Sequence, residues 1–148
     1  MPEFLSLDEN PSYQLWLASN AWTRLFRQAL EPLGLTHVQY VVLASVWRLA
    51  HTDGPVSQAD VCRFASLDRN MTSKVIRSLE ARGMLTRKLD PRDRRAFCLE
   101  VGAEGERLLV EARSRVEPLI EAFFAPLGAE KSDLARMLRA IVSGTASG

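Results

Sequence analysis

The segment from Leu67 to Glu100, LDRNMTSKVIRSLEARGMLTRKLDPRDRRAFCLE, restricts the fold of this chain more than any other stretch. Thr72, Val75, Ile76 and Leu79 recur at i, i+3, i+4 and i+7, which places them along one side of an α-helix. Asn70, Ser73, Lys74 and Arg77 repeat that spacing on the opposite side. Asp68 is positioned to cap the helix start, and Gly83 to supply the left-handed residue after its end. Met84 to Leu89 and Ala96 to Val101 then read as two short strands, joined by the polar loop Asp90-Pro91-Arg92-Asp93-Arg94-Arg95.

Charge is concentrated in the same place. Between Arg69 and Arg95 there are nine Lys or Arg and three Asp or Glu, a net +6, while the whole chain holds 19 basic and 18 acidic residues, so everything outside this window carries −5. A local basic patch in a nearly neutral protein is the footprint of phosphate binding, because it releases counterions condensed on a nucleic acid. The same pattern also suits a solvated helix face. Upstream, Ser57-Gln58-Ala59-Asp60 predicts a short helix over Ser57 to Ala65, with Ser57 as N-cap and Asp60 at the positive helix end. A four-residue turn, Ser66 to Arg69, separates it from the two-faced helix. Helix, turn, helix, hairpin is the order of a winged helix-turn-helix. The side chains expected to read DNA from the second helix are Arg69, Asn70, Ser73, Lys74 and Arg77, types with favourable major-groove or phosphate pairings. Arg92, Arg94 and Arg95 are expected at or near the hairpin tip, where arginine suits a narrow minor groove. Asp90 and Asp93 are expected to shape that loop by pairing with Arg92 or Arg95.

The flanking segments are helical in pattern. Leu15, Ala18, Trp22, Leu25, Phe26 and Ala29 follow Pro11-Ser12, and Pro32 and Gly34 end that run. Thr36-His37-Val38-Gln39 is a capping-box pattern opening a helix with Val38, Val42, Val46 and Leu49. After Gly105 comes a long helical pattern in which Pro118 predicts a kink or a split, and Pro126 and Gly128 end it. Leu134, Leu138 and Ile141 mark a last helix, followed by a frayed SGTASG tail. The fold class expected is mainly α with a small β-hairpin wing, in one domain of 148 residues.

Leu35-Thr36-His37-Val38-Gln39-Tyr40-Val41-Val42-Leu43, Ser57-Gln58-Ala59-Asp60-Val61, Thr72-Ser73-Lys74, Leu79 to Arg87 and Asp90 to Arg95 together resemble the MarR family of bacterial transcription regulators. No single fragment carries the resemblance; their order and spacing do, from about Ser12 to Val142. It implies a homodimer on a pseudo-palindromic operator; the action expected of such a dimer over a promoter is repression, by blocking polymerase. Residues 36–101 would be the winged helix-turn-helix, and residues 12–34 and 103–143 the helical dimerisation region. The interface expected from the apolar flanks is Leu15, Leu119, Phe123, Phe124, Leu127, Leu134, Leu138 and Ile141. Family members often open the helix after the wing with a Leu-Thr-x-x-Gly pattern; here Val101-Gly102-Ala103-Glu104-Gly105 lacks the hydroxyl cap, which predicts a looser junction. The reactive cysteine that peroxide-sensing members carry in their first helix is missing. The resemblance also implies an effector pocket, for which Trp16, Trp22, Trp47, Arg48 and His51 are the expected lining, suited to a small aromatic or phenolic ligand.

Other classes find less support. No Gly-rich phosphate loop, HExxH motif or nucleophile elbow occurs, so an enzyme is not expected. Cys62 and Cys98 do not make a disulfide framework, and with His37 and His51 they lack a metal-ligand spacing, so no cofactor is expected. Either cysteine could serve a redox-responsive regulator if it were accessible and beside positive charge. A winged helix used only for docking proteins is the other alternative. No apolar run approaches the ~20 residues that span a bilayer, and MPEFLSLDENPS has no basic, then apolar, leader pattern. Two unpaired cysteines and no leader make a cytoplasmic location, without membrane contact, the expectation.

Overall fold

The computed structural model describes residues 6–145, so the last three residues of the SGTASG tail lie outside the described residues. A 3₁₀ turn at Leu7–Glu9 leads into α1, Pro11–Leu30; Asn10 caps it, its side chain accepting from the backbone N–H groups of Ser12 and Tyr13. After a 3₁₀ turn and Gly34, which takes φ of 63°, α2 runs over His37–Thr52. Its capping box forms as the sequence predicts: Thr36 Oγ1 accepts from Gln39 N–H while the Gln39 side chain accepts from Thr36 N–H. Next come α3, Gln58–Ala65, capped by Ser57 and Asp60, and α4, Arg69–Ala81, capped by Asp68. The turn between them is three residues, Ser66 to Asp68, rather than four, because Arg69 already opens α4. Ser66 makes the corner in the left-handed region, at φ 52°.

β1, Leu85–Asp90, pairs antiparallel with β2, Asp93–Val101, and Val56 adds a single bridge to Leu99 on the other edge of β2. The six-residue loop expected between the strands is corrected to a two-residue turn, Pro91-Arg92. Asp90 pairs with Asp93, and the register shift falls on β2, where Arg94, Arg95 and Ala96 have no partner across the ladder. Proline fits the second position of such a turn because its ring presets φ. Arg94 and Arg95 are therefore bulged strand residues, not loop residues.

α5, Ala103–Phe124, is one helix through Pro118, so of the expected kink or split the split does not occur. A turn at Ala125–Glu130, with Gly128 at positive φ, leads to α6, Lys131–Thr145, which incorporates Ser143, Gly144 and Thr145 of the expected tail. The hydroxyl cap of α5 is indeed missing, as Gly102 offers none. The junction is nevertheless tight, contrary to expectation. Gly102 N–H donates to Met84 O at 2.9 Å, and a Cβ built on Gly105 would lie 2.3 Å from Met84 O. Glycine here permits backbone-to-backbone contact where a capping side chain would otherwise hold the helix.

One core joins these elements. Leu30 of α1, Leu43 and Val46 of α2, Val61 of α3, Ile76 and Leu79 of α4, Leu85 of β1 and Val116 of α5 are fully buried in it. α6 buries none of its residues, and Leu15, Trp16 and Leu17 of α1 are exposed. The helix-turn-helix and wing are thus packed on a finished core, while the outer helices present apolar side chains to solvent.

Candidate nucleic-acid interface

The packing face of α4 forms as its periodicity predicts: Thr72, Ile76 and Leu79 are buried and Val75 half-buried. Thr72 satisfies its hydroxyl by donating to Asp68 O at 2.6 Å, so a polar residue sits in the core at no unpaired cost. Asp68 Oδ1 accepts from Met71 N–H at 2.8 Å and fixes the helix start. The opposite face carries Arg69, Asn70, Lys74 and Arg77 exposed and Ser73 half-buried.

Ion pairing divides the nine basic residues between Arg69 and Arg95 into two groups. Arg69, Lys74, Arg77, Arg94 and Arg95 form no side-chain ion pair or hydrogen bond among the described residues. Arg82, Arg87, Lys88 and Arg92 are all engaged within the fold. The free group consists of three α4 residues and the two bulged wing residues, and among the described residues no carboxylate has to be given up by its guanidinium and ammonium groups before they meet a phosphate.

The engaged group holds the reading elements in place. Arg82 Nη1 donates to Gly34 O at 2.8 Å, tying the end of α4 to the α1–α2 corner, and Gln39 Nε2 donates to Ser78 Oγ at 3.4 Å beside it. Arg87 Nε donates to Glu80 Oε1 at 2.6 Å and links β1 to α4. Sequence reasoning misses all of these, since the partners in the first two lie 48 and 39 residues apart. Arg92, expected among the wing's DNA contacts, is the partner that Asp90 takes of the two arginines expected for it, and it acts as a strut. It donates to both Asp90 oxygens, at 3.1 and 3.0 Å, and to Pro55 O at 3.0 Å, so it pins the wing to the segment before α3. Those hydrogen bonds hold the Asp90 carboxyl below its ordinary range. Asp93 accepts from the backbone N–H of Arg95 at 3.0 Å rather than from an arginine side chain. At the other end, Asp60 is held low by Ser57, first by its backbone N–H and then by its hydroxyl.

The five residues expected to line an effector pocket fall into separate contacts. Trp22 packs on Phe123 and Phe124, with ring centroids 5.2 and 5.4 Å away, so these two interface candidates also serve the protomer's own packing. Trp47 lies over His51 at 4.2 Å, Trp16 over Tyr13 at 6.1 Å, and Arg48 is exposed. A groove of about 520 Å³ lies elsewhere, between α1 and the start of α2, with Arg27, Glu31, Thr36 and His37 in its wall. His37 stacks on Phe26 at 4.1 Å, and burial pushes its imidazole below the ordinary 6.5. Cys98 is buried with Sγ 3.9 Å from Leu89 O, and Cys62 is half-buried. Leu15, Leu119, Leu138 and Ile141 are exposed, and Leu127 and Leu134 half-buried.

A helix-turn-helix with a bulged basic wing and a recognition face of unengaged cations defines a winged-helix DNA-binding protein. Residues 35–97 match the sequence model of the MarR family. The chain is 34% identical over 124 residues to a HTH-type transcriptional regulator, YdcH, of Bacillus subtilis, covering 83% of this chain and 84% of that one. It is similar in structure to BpsR of Bordetella bronchiseptica, whose DNA binding is regulated by 6-hydroxynicotinic acid (TM-score 0.81, 25% identity, 93% of this chain and 96% of that one). It is also similar to CouR of Rhodococcus jostii RHA1, solved bound to p-coumaroyl-CoA (TM-score 0.79, 27% identity, 93% of each chain). This chain belongs to the MarR family and is a DNA-binding transcriptional regulator.

Proposed function

We propose that the protein is a homodimeric repressor that binds a pseudo-palindromic operator and is released by a small aromatic ligand. The observation that carries this is the division of the nine basic residues between Arg69 and Arg95: those without a side-chain partner among the described residues lie on α4 and in the wing bulge. In this reading Asn70, Ser73, Lys74 and Arg77 meet base edges in the major groove while Arg69 meets phosphate. Arg94 and Arg95 enter the adjacent minor groove, and Asp90, Arg92 and Asp93 set the wing's shape. The exposed apolar residues of α1 and α6, including Leu15, Leu138 and Ile141, support a two-fold partner, because a lone protomer would leave them in water. Such a dimer puts its two α4 helices about one helical turn apart on the duplex. Over a promoter it excludes polymerase. The aromatic ligands of BpsR and CouR support a ligand of that class here. Trp16, Trp22, Trp47, Arg48 and His51 remain its proposed lining.

The test is fluorescence anisotropy of the full chain on duplexes selected from a random library, repeated across salt concentrations, with sedimentation for mass. A selected inverted repeat, a dimer mass and a log–log salt slope near −0.9 per phosphate contact are expected. Binding that ignores both sequence and salt would instead mark a protein-docking module. Tryptophan fluorescence across phenolic and aromatic acids tests the ligand, and silence from every compound would remove that part.

A further inference from the structure

The wing carries an apolar pair that its arginines do not explain. Leu89 of β1 and Phe97 of β2 are direct cross-strand partners, so both side chains stand on one face of the hairpin. That face begins inside the core at the pair Leu85 and Val101, continues through Arg87 and Leu99, and ends at Leu89 and Phe97. The inner members are engaged within the fold: Leu85 and Leu99 are buried, and Arg87 is tied to Glu80 of α4. The outer pair is not, with Leu89 58% and Phe97 54% exposed. The protomer therefore leaves these two large apolar side chains in water, on the face whose inner end is tied to the recognition helix through Arg87 and Glu80. Arg94 and Arg95 lie next to them in the bulge, their side chains without partners among the described residues.

We infer that Leu89 and Phe97 form an apolar saddle that seats on the deoxyribose walls of the minor groove, behind the wing arginines. Depth supports this placement. Leu89 lies two residues behind Pro91 at the turn, about 7 Å along a strand. The minor groove is about 7.5 Å deep. A wing whose tip reaches the groove floor thus holds this pair at the sugar rim, where the apolar C–H edges of the backbone lie. Arg94 and Arg95 carry positive charge into the groove between its two phosphate walls, and the apolar pair excludes water behind them. The occupant is duplex DNA because the patch is continuous with the unengaged cations of the bulge and with α4. This inference rests on the DNA-binding reading above.

The two kinds of contact leave different marks on salt dependence. A lost phosphate contact flattens the log–log slope by about 0.9, whereas a lost apolar contact weakens binding at every salt concentration alike. Leu89→Ser and Phe97→Ser, measured by anisotropy on the fluorescein-labelled selected duplex, should each weaken binding about tenfold with the slope unchanged. Phe97→Leu should restore most of the affinity. Arg95→Ala on the same duplex should flatten the slope. Circular dichroism melts check that the variants fold, as substitutions at exposed positions should. Wild-type affinity in both serine variants would overturn the inference while leaving the DNA-binding reading intact. So would serine variants whose oligomeric mass falls while the remaining dimer binds normally, which would make the patch a contact between copies. Failure of the unmodified protein to bind any duplex would remove the DNA-binding reading itself.

Discussion

Arg77 and Arg69 differ in what they can reach, although both are exposed and unengaged. Arg69 opens the helix beside the Asp68 cap, where a phosphate would sit, and Arg77 is two turns on, along the polar face. Arg77→Ala should cost about 1–3 kcal/mol of operator binding and relax the preference at one base pair. Arg69→Ala should weaken all duplexes evenly and flatten the salt slope. Competition against a set of single-base operator variants separates the two, and a uniform loss in Arg77→Ala would make it a phosphate contact. His37 offers a second test at this scale. Because burial lowers its folded-state value below the ordinary 6.5, the unfolded chain takes up the proton more readily. Its neutral form therefore contributes fully above about pH 6.5, and stability falls as pH drops below that value. Melting temperatures across pH should show a shallower acid decline in His37→Leu than in the parent; parallel curves would show that His37 is not the group responsible.

The wing shows how an element gets its shape from residues that look misplaced. Two aspartates in a basic loop read as electrostatic errors, and Asp90 is the one that matters. It anchors Arg92, which in turn holds Pro55 O. Asp90→Ala removes a negative charge beside DNA, which by charge alone should tighten binding. We expect weaker specific binding instead, because the wing loses its strut; tighter binding in an anisotropy titration would overturn this. The start of α5 is a comparable case. Gly105→Ala forces a Cβ to 2.3 Å from Met84 O, and this contact is backbone rather than a movable side chain. Urea denaturation should register a loss of about 1–3 kcal/mol or more, the usual scale for overpacking. Little change would mean that the junction can open without cost.

At the scale of the whole molecule, apolar surface is distributed as it is in a half-finished assembly. The core spans α1 to α5, yet Ile141, Val142 and Met137 of α6 and Leu15 and Trp16 of α1 stay exposed. Leu138→Asp combined with Ile141→Asp should shift the sedimenting species to monomer and remove operator binding, since one wing and one α4 make too few contacts alone. A dimer that survives both changes would place the interface elsewhere.

Helix ends, faces and order were legible because they depend on neighbours within four residues. Asp68, Ser57 and the Thr36–Gln39 box cap where their spacing says they should, and the two faces of α4 separate as their periodicity requires. Wing boundaries were not legible, because a bulge at Arg94 to Ala96 is set by pairing with β1 and leaves no mark in composition. Nor could composition distinguish the arginines, which are alike in sequence. Their partners are chosen by distance in the folded chain: Arg82 finds Gly34, Arg92 finds Asp90 and Pro55, and the side chains of Arg69, Lys74, Arg77, Arg94 and Arg95 find none among the described residues. The sequence by itself determined that a basic two-faced helix would be followed by a hairpin. Only tertiary structure decided which charges brace the scaffold and which stay available to DNA, because an ion pair is a matter of proximity and packing, not of residue type.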